Sequence, residues 1–441
     1  MHKSSFFRIS ILAALIAGST QASAYELYAD EDTHLNANLE ATFGFFNSQQ
    51  NYSNSGSKSE GSSTWREGYI KYGISGDQGL AGAGTAYGAF SLLSSATWGD
   101  GDATGFSNGS ERTTKIEDAY AGWRSGELFE ALGKDGVDVS FGRQNIAVGD
   151  GFLIYGDGTN LGKGLADGEF NRGGSTYLGA RKNFDKTAVL RLGGQEGWRS
   201  DLMWLKSDNR GQAKTEMYVA TLEHVAEPGT VGLTYINTID VDEKYASPTQ
   251  LERDGMKTYS LRAAGNAGVE NLFLSGEYAK QDKPHTATED AWYLEAGWTF
   301  ADVAWSPSVS YRYSRFSEGY DPLFYGFSRA FGTWFQGEVA GSYAGPFSTN
   351  TRVQHLSLKV SPLENLTISA LYFDFDTIDR SLGNPSGQEI DILAEWGVTE
   401  NLMIIPLIGL YQPEKSAAQG GTQLGNDDLN LYTQLVFATS F

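Results

Sequence analysis

Apolar and polar residues alternate along several long segments of the chain. From residue 35 to 45 every second side chain is apolar, and these residues alternate with His34, Asn36, Asn38, Glu40, Thr42 and Gly44. The same period of two returns at residues 292–300 and 390–398. Such alternation predicts β-strands with one apolar and one polar face. Each run is about twice as long as an average strand, and it has about the length that a tilted strand needs to cross a bilayer.

Short and long connections alternate between these segments. The breaks AGVENL, SPLENL and VTENL are short, whereas residues 47–63, 240–255 and 412–427 are long and rich in Gly, Ser, Asn and Asp. This order is typical of an outer-membrane barrel with short periplasmic turns and long extracellular loops. We therefore predict an all-β fold, a transmembrane antiparallel β-barrel of about 18 strands of the outer-membrane type, with both termini on the periplasmic side.

The predicted strands are residues 33–46, 64–75, 85–98, 114–124, 137–147, 174–184, 187–207, 215–225, 230–241, 256–265, 271–281, 290–300, 307–316, 351–361, 365–376, 388–398, 401–411 and 428–441. Within 187–207 the sequence GGQEG interrupts the alternation, and we interpret it as a Gly-rich bulge in one strand. Two strands at this place would raise the total to an odd number, whereas closed single-chain bacterial barrels have an even number.

Both ends of the chain agree with export to the outer membrane. Lys3 and Arg8 precede an apolar run at residues 9–17 and small residues at 22–24, so residues 1–24 are expected to be a removable signal peptide. The barrel domain is then residues 25–441, with no later apolar stretch of the roughly 20 residues that a membrane helix needs. The last strand alternates up to Phe441, an aromatic end that resembles the signal read by the bacterial barrel assembly machinery.

Composition narrows the possible partners. The formal net charge is −21, and removing Lys3 and Arg8 with the signal peptide makes it −23. Nucleic acid is not expected as a partner, because binding phosphates requires a basic surface. The chain has no Cys, which excludes thiol chemistry and a lipidated N-terminal cysteine.

Charged residues occur in the polar, inward phase of the predicted strands. The basic ones are Lys71, Arg124, Arg191, Arg262, Arg312 and Lys359, and the acidic ones are Glu40, Glu67, Asp118, Glu277, Glu295, Asp391 and Glu395. Two interpretations are open. The charges neutralise one another in ladders that stabilise the barrel, or the arginines form a selectivity ring for an anion.

Residues 137–164 form the most distinctive stretch. A predicted strand ends at Gly142, Arg143 and Gln144 and continues into a Gly-rich loop that is long enough to fold into the barrel as a constriction. Strict alternation puts Arg143 in phase with the apolar Val139 and Phe141, so it faces the lumen only if a bulge intervenes.

This stretch resembles the alginate export family of Gram-negative outer-membrane channels. Gly-Arg-Gln at the end of a strand, followed shortly by Gly-Asp-Gly, is similar to that family, as are residues 321–341 and the hairpin at 358–376. The resemblance implies a monomeric 18-stranded barrel with an Arg-lined lumen that passes an anionic polysaccharide. It also implies a pore-proximal site at Gly142, Arg143 and Gln144.

Residues 100–111, DGDATGFSNGSE, match the spacing of a calcium loop. Oxygen ligands would come from Asp100, Asp102, Thr104 and Glu111, and Gly105 stands at the sixth position. The alternative is an acidic extracellular loop without a metal, since no predicted helix flanks the segment. No other cofactor is expected.

The sequence thus predicts a passive channel in the bacterial outer membrane, in contact with membrane lipid, for an anionic polysaccharide or a related small anionic solute. A general or substrate-specific nutrient porin is the alternative. An outer-membrane enzyme is the third possibility, but none of the five His lies in a nucleophile or metal motif such as G-x-S-x-G or H-E-x-x-H.

Overall fold

The structure is a computed structural model that describes residues 25–165, 168–329 and 336–441. The predicted signal peptide at residues 1–24 lies outside the described residues, and so do residues 330–335 of the family-like stretch 321–341. No helix in the described parts of the chain is both long and apolar enough to cross a membrane. Helical structure there is confined to short turns, which are Glu130–Leu132, Arg210–Gln212, Pro248–Leu251, Ala340–Ala344, Arg380–Leu382 and Ala417–Gln419.

Eighteen strands close into one antiparallel barrel, which confirms the predicted fold class. In chain order they are β1 (Thr33–Ser48), β2 (Ser63–Gly79), β3 (Thr85–Gly99), β4 (Arg112–Arg124), β5 (Val137–Gln144), β6 (Phe184–Leu192), β7 (Gly197–Lys206), β8 (Glu216–Ala226), β9 (Gly229–Asp240), β10 (Lys257–Gly265), β11 (Leu272–Asp282), β12 (Glu289–Thr299), β13 (Ser308–Phe316), β14 (Thr351–Leu363), β15 (Leu366–Thr377), β16 (Gly387–Thr399), β17 (Leu402–Pro413) and β18 (Asn430–Ser440).

The barrel closes because the last strand pairs with the first. Phe437 of β18 lies opposite Phe43 of β1, and the Leu39 N–H donates to the Phe441 carbonyl at 2.9 Å. A short strand, Tyr25–Ala29, pairs with the remaining part of β1, beyond the end of β18. Inside a bilayer no water is present to bond unpaired backbone groups. This closure pairs the backbone donors and acceptors that would be left without partners at an open edge of the sheet.

The two faces of the wall follow the predicted alternation. On β12, Leu294 is 64% exposed while the neighbouring Glu295 is 8% exposed, and on β16 Ile390 is exposed while Asp391 is buried. Exposed apolar side chains therefore face lipid, and the buried polar ones face the lumen.

Two predicted strands differ from the structure. Residues 187–207 do not form one bulged strand but two strands, β6 and β7, which pair with each other across a turn in which Gly193 and Gly197 have positive φ. Residues 174–183 are not a strand but part of a loop, in which the Lys182 and Asn183 N–H groups donate to the Glu117 carboxylate. The two errors cancel, so the strand count is right although these two segments were wrong.

Two long loops fold back into the barrel and pack on its inward face. The first, residues 145–183, contains a small hairpin of Ala147–Val148 with Ile154–Tyr155. The second runs from residue 317 to 350, and its Phe324 carbonyl accepts a bond of 2.7 Å from the Tyr155 N–H of the first loop. Apolar side chains of both loops join wall residues in two buried clusters. The loops therefore narrow the lumen.

The alternation of short turns and long loops predicts which connections face the cell exterior. Because the natural chain has no Cys, single-Cys variants report position directly. In intact cells a maleimide carrying a polymer too large to permeate should label Ala418→Cys, in the exposed β17–β18 loop, and leave Glu364→Cys unlabelled in the β14–β15 turn. Both variants should be labelled after the membrane is solubilised. Labelling of Glu364→Cys in intact cells would reverse the topology.

Candidate functional site

A belt of alternating charges runs across the lumen-facing wall from β4 to β10. Arg124 lies opposite Asp138, Asp138 lies opposite Arg191, and Arg191 lies opposite Asp201 on successive strand pairs. The belt continues through Arg199, Glu223 and Arg262, and these seven residues are called the charged belt below. The structure therefore brings three sequence-predicted arginines, Arg124, Arg191 and Arg262, onto one sector of the wall.

The arginines of the charged belt share their acidic neighbours, Asp138 and Glu223. The Arg124 guanidinium lies 4.5 Å from the centre of the Tyr87 ring, and the Tyr87 hydroxyl donates to Asp138 at 2.6 Å. Arg191 lies 3.8 Å from the same Asp138 carboxylate. Arg262 donates to Glu223 and, at 2.6 Å, to Thr234 Oγ1. Three ion pairs, Arg191–Asp138, Arg199–Glu223 and Arg262–Glu223, thus lie within the belt, as the ladder interpretation expects.

The remaining predicted cations lie on other parts of the inner wall. Lys71 Nζ is 3.3 Å from Glu40 and 3.7 Å from Asp118. Arg312 lies 3.5 Å from Glu295, which also pairs with Arg329 of the second loop at 2.6 Å. Lys359 is paired in register with the strand residues Ser308 and Ser369, on the same side as Ser357 and His355 of β14.

In two ion pairs of the charged belt the arginine side chain is more exposed than its carboxylate partner. The Arg191 side chain is 39% exposed while Asp138 is 18% exposed, and Arg199 is 44% exposed while Glu223 is 9% exposed. In these two pairs the guanidinium is the more exposed group, so a solute in the lumen meets the positive end first, whereas Arg262 and Glu223 are about equally buried. Arg143 and Arg312, at 7% and 2%, are buried and contact protein groups instead.

Arg143 faces inward because the strand is irregular at Gly142. Gly142 has φ +118°, and the register of β5 on β6 shifts between Gly142 and Gln144. Phe141 is exposed toward lipid, whereas Arg143 and Gln144 are both buried. The bulge that an inward Arg143 requires is therefore present, and glycine permits it because a side chain is strained at this φ.

Arg143 belongs to a buried network that anchors the first loop. Its Nη1 donates to Asp208 at 2.8 Å and to Asp185 at 3.0 Å. Two loop arginines, Arg172 and Arg181, lie 3.4 and 3.8 Å from the same Asp208 carboxylate. Burial opposes ionisation of Asp208, but the neighbouring arginines outweigh it and lower its pKa.

Sequence reasoning missed Arg172, Arg181 and Asp208, and also Arg199 of the belt. Arg172 and Asp208 lie outside the predicted strands, where alternation gives no information about direction, and Arg181 lies in residues 174–183, which were predicted as a strand but form a loop. The only signal was basic residues within a loop otherwise rich in Gly, Asn and Ser. Arg199 was missed because it follows the GGQEG turn, which was interpreted as a bulge.

The second loop is held by wall carboxylates. Glu389 of β16 accepts from the Val339 N–H at 2.7 Å and the Ala340 N–H at 2.9 Å, and Asp391 accepts from the Glu338 N–H at 3.3 Å. These N–H groups begin a short helical turn and have no intrahelical partners, so carboxylates bind them favourably. The Glu338 carboxylate itself accepts from the Tyr177 hydroxyl of the first loop.

The candidate calcium loop bonds mostly to itself. Asp102 is fully buried, and its carboxylate accepts bonds from the backbone N–H groups of residues 104–106 and from Ser107. Glu111 Oε1 accepts from the backbone of residues 108 and 163.

The other two candidate ligands point to different partners. Asp100 accepts from the Thr64 N–H at 2.9 Å, and Thr104 Oγ1 donates to the Tyr343 carbonyl at 2.7 Å. Among the described residues, no group of three or more Asp, Glu or His is arranged to hold a metal ion. Calcium binding at this loop stays a prediction.

Comparison with known proteins gives one family and a set of similar folds. Residues 110–404 match the model of a family described as alginate export. No curated protein sequence matches the chain. Among solved structures the chain is similar to OccK7 (OpdD) of Pseudomonas aeruginosa, with a TM-score of 0.57 and 14% identity over 94% of this chain and 99% of that one.

Two further structures from the same organism are similar. OpdQ gives a TM-score of 0.57 and 13% identity over 94% of this chain and 99% of that one. The outer-membrane protein OprD gives 0.56 and 11% over 95% and 97%. The TM-scores show that the fold is shared, whereas sequence identities this low carry no information on the solute.

Docking of the second loop should weaken with rising pH. Burial raises the pKa of the Glu338 carboxyl to about 8, although the Tyr177 hydroxyl opposes the shift, and Glu389 and Asp391 face it from the wall. The folded state therefore holds a proton that the unfolded carboxyl loses near pH 4.3, so stability falls as pH rises from about 4.3 to about 8. Single-channel currents should fluctuate more often at pH 9 than at pH 6.

The matched variant for this test is Glu338→Gln, which keeps the shape of the side chain and cannot ionise. Its current fluctuations should be as rare at pH 9 as at pH 6. An unchanged pH dependence in this variant would assign the effect to another group.

Proposed function

Since the chain belongs to the alginate export family of outer-membrane channels, we propose that it passes an anionic polysaccharide or a related anionic solute by passive diffusion. The family assignment confirms the resemblance of the Gly-Arg-Gln stretch, and the outer membrane is its location. The proposed anionic nature of the solute is supported by the arginines of the inner wall.

The observation that carries the proposal is the asymmetric exposure within the charged belt. Arg191 and Arg199 present 39% and 44% of their side chains, while Asp138 and Glu223 present 18% and 9%. A partly hydrated guanidinium still attracts an anion, and its planar group matches a carboxylate in two-point hydrogen bonding. Uronate units of an acidic polysaccharide carry this carboxylate.

The acidic net charge does not oppose anion passage. Fixed charges on distant loops are screened over about 8 Å at physiological salt, whereas charges lining a narrow lumen act on the solute at contact distance. Selectivity therefore follows the groups that line the path, and overall charge says little about it.

A nutrient porin for small solutes is the second candidate. It is favoured by the two inward loops, which pack on the wall in two buried clusters and leave a polymer less room than an open barrel would. The same exposed arginines serve either function, so the two candidates differ in the size of the anion that passes and agree on its charge.

The other parts of the proposal follow from the fold. We propose a monomer that contacts outer-membrane lipid and is inserted by the barrel assembly machinery. We also propose no catalytic activity, because the chain belongs to a family of channels and none of its five His lies in a nucleophile or metal motif.

Charge selectivity in planar bilayers tests this proposal. Under a salt gradient the reversal potential of the unmodified channel should show anion preference. Each guanidinium about 8 Å from a permeant ion through water contributes about 0.5 kcal/mol, so Arg191→Ala and Arg199→Ala should each reduce the anion-to-cation permeability ratio about twofold. Arg352→Ala is the matched control, because Arg352 is exposed on the outer face of β14.

Soluble oligouronates of increasing length distinguish the two candidates. An acidic polymer path predicts that a long oligouronate enters and blocks the current, whereas a small-solute porin is blocked only by the shortest ones. Cation preference in the unmodified channel, with no block by any acidic sugar, would overturn both forms of the proposal.

A further inference from the structure

The lipid-facing wall contains a groove that crosses β17, β18 and β1 to β3 and reaches the extracellular end of β4 at Arg112. Its volume is about 670 Å³, and its floor is made of small outward residues, among them Ala41, Ser94 and Ala96. Ala41 and Ser94 lie in one row of the sheet on either side of Ile70, and Gly68 lies opposite Ala96 in the neighbouring row. Small side chains in adjacent strands thus leave a depression in a wall that is otherwise covered by large apolar residues.

Gly68 allows one side of the groove to form. A Cβ at this position would meet Phe43 Cδ2 at 2.7 Å, so only glycine lets the Phe43 ring lie flat against the wall. The flattened ring reaches Trp98, with 5.8 Å between the ring centres. An apolar slot bordered by Phe43 and Trp98 suits a hydrocarbon chain.

Two cations stand at the extracellular end of this slot. Arg66 lies opposite Trp98 on β2, and Arg112 lies opposite Ala96 on β4. The Arg112 guanidinium is 4.6 Å from the centre of the Trp98 ring, and its Nη1 donates to the backbone carbonyls of residues 97 and 111. Both arginines are exposed, and among the described residues neither has a carboxylate within ion-pair distance.

Their depth matches the border between hydrocarbon and headgroups. The outward residues of β2 are apolar from Ile74 to Ile70, and Arg66 and Thr64 follow toward the extracellular loop. A Trp at such a border is typical of the aromatic girdle of outer-membrane barrels. A guanidinium at this depth meets lipid phosphates and not the solute path, because it lies on the outer face of the barrel.

We infer that this groove binds a phosphorylated glycolipid of the outer leaflet, lipid A, with one acyl chain in the slot and a phosphate between Arg66 and Arg112. Arginine binds phosphate in a planar two-point geometry, and the fixed position of Arg112 over Trp98 reduces the ordering that binding requires. The inference requires only the outer-membrane location and is independent of the solute that the lumen passes.

Native mass spectrometry of the detergent-solubilised protein tests this site with diphosphoryl lipid A as the probe. The double variant Arg66→Ala with Arg112→Ala should weaken binding at least tenfold. The control Arg352→Ala removes an outward arginine that pairs with Asp376, and it should leave binding unchanged. Reversal potentials should be equal in all three proteins, which confirms that each variant is folded and conducting.

A second variant tests the slot separately from the charges. Ser94→Phe fills the floor of the groove and keeps both arginines, and it should also weaken lipid A binding at least tenfold. Lipid A without phosphate should bind the unmodified protein at least tenfold more weakly. Equal binding by the double-arginine variant, or of dephosphorylated lipid A, would overturn the site. Phosphatidylglycerol binding as tightly as diphosphoryl lipid A would overturn the assignment to the outer-leaflet glycolipid.

Discussion

The closed ladder of backbone hydrogen bonds is the constraint on which the rest of this structure depends. A strand inside hydrocarbon cannot leave its N–H and C=O groups unpaired, so the sheet must return to its first strand. The pairing of Phe43 with Phe437 completes that circle. Once the sheet is closed, alternation divides the side chains between lipid and lumen, and every charged residue in a strand at hydrocarbon depth must face inward.

The inner wall then has to hold many charges in a small space. It does so by pairing them in rows across neighbouring strands, and in two pairs of the charged belt, Arg191–Asp138 and Arg199–Glu223, the carboxylate is less exposed than the guanidinium. The loops are held in the same way, because Asp208 pairs with three arginines at the first loop and the Glu389 carboxylate accepts from N–H groups of the second. The ion pairs and the proposed selectivity therefore involve the same residues, and the cations that remain exposed are those available to a solute.

The regular part of the barrel could be predicted from sequence, because alternation is a local property. It identified the lumen side of β12 and β16 and placed Arg124, Arg191 and Arg262 on the inner wall. It failed at GGQEG, since a Gly-rich turn and a Gly-rich bulge have the same composition and differ only in the pairing of the flanking strands. The loop residues 174–183 were mistaken for a strand for a related reason: their backbone bonds to Glu117, a partner distant in sequence.

The contacts of the candidate site were harder to predict than its residues. The inward position of Arg143 depends on one positive φ at Gly142, and its meeting with Arg172, Arg181 and Asp208 depends on how two loops fold. Neither is encoded in any local pattern. For residues 100–111 the sequence pattern gives the spacing of a calcium loop but not the contacts of Asp102, which bonds to its own loop, and calcium binding there stays a prediction.

The central claim is that this lumen favours anions because guanidinium groups are exposed in front of their carboxylate partners. Glucose and glucuronate are nearly equal in size and differ in one carboxylate. A comparison of their rates of entry therefore reports the effect of solute charge without an effect of solute size. The most direct measurement is the uptake of both labelled sugars into vesicles containing the unmodified protein, with the membrane potential held at zero. The account predicts faster entry of glucuronate, and equal or faster entry of glucose would contradict it.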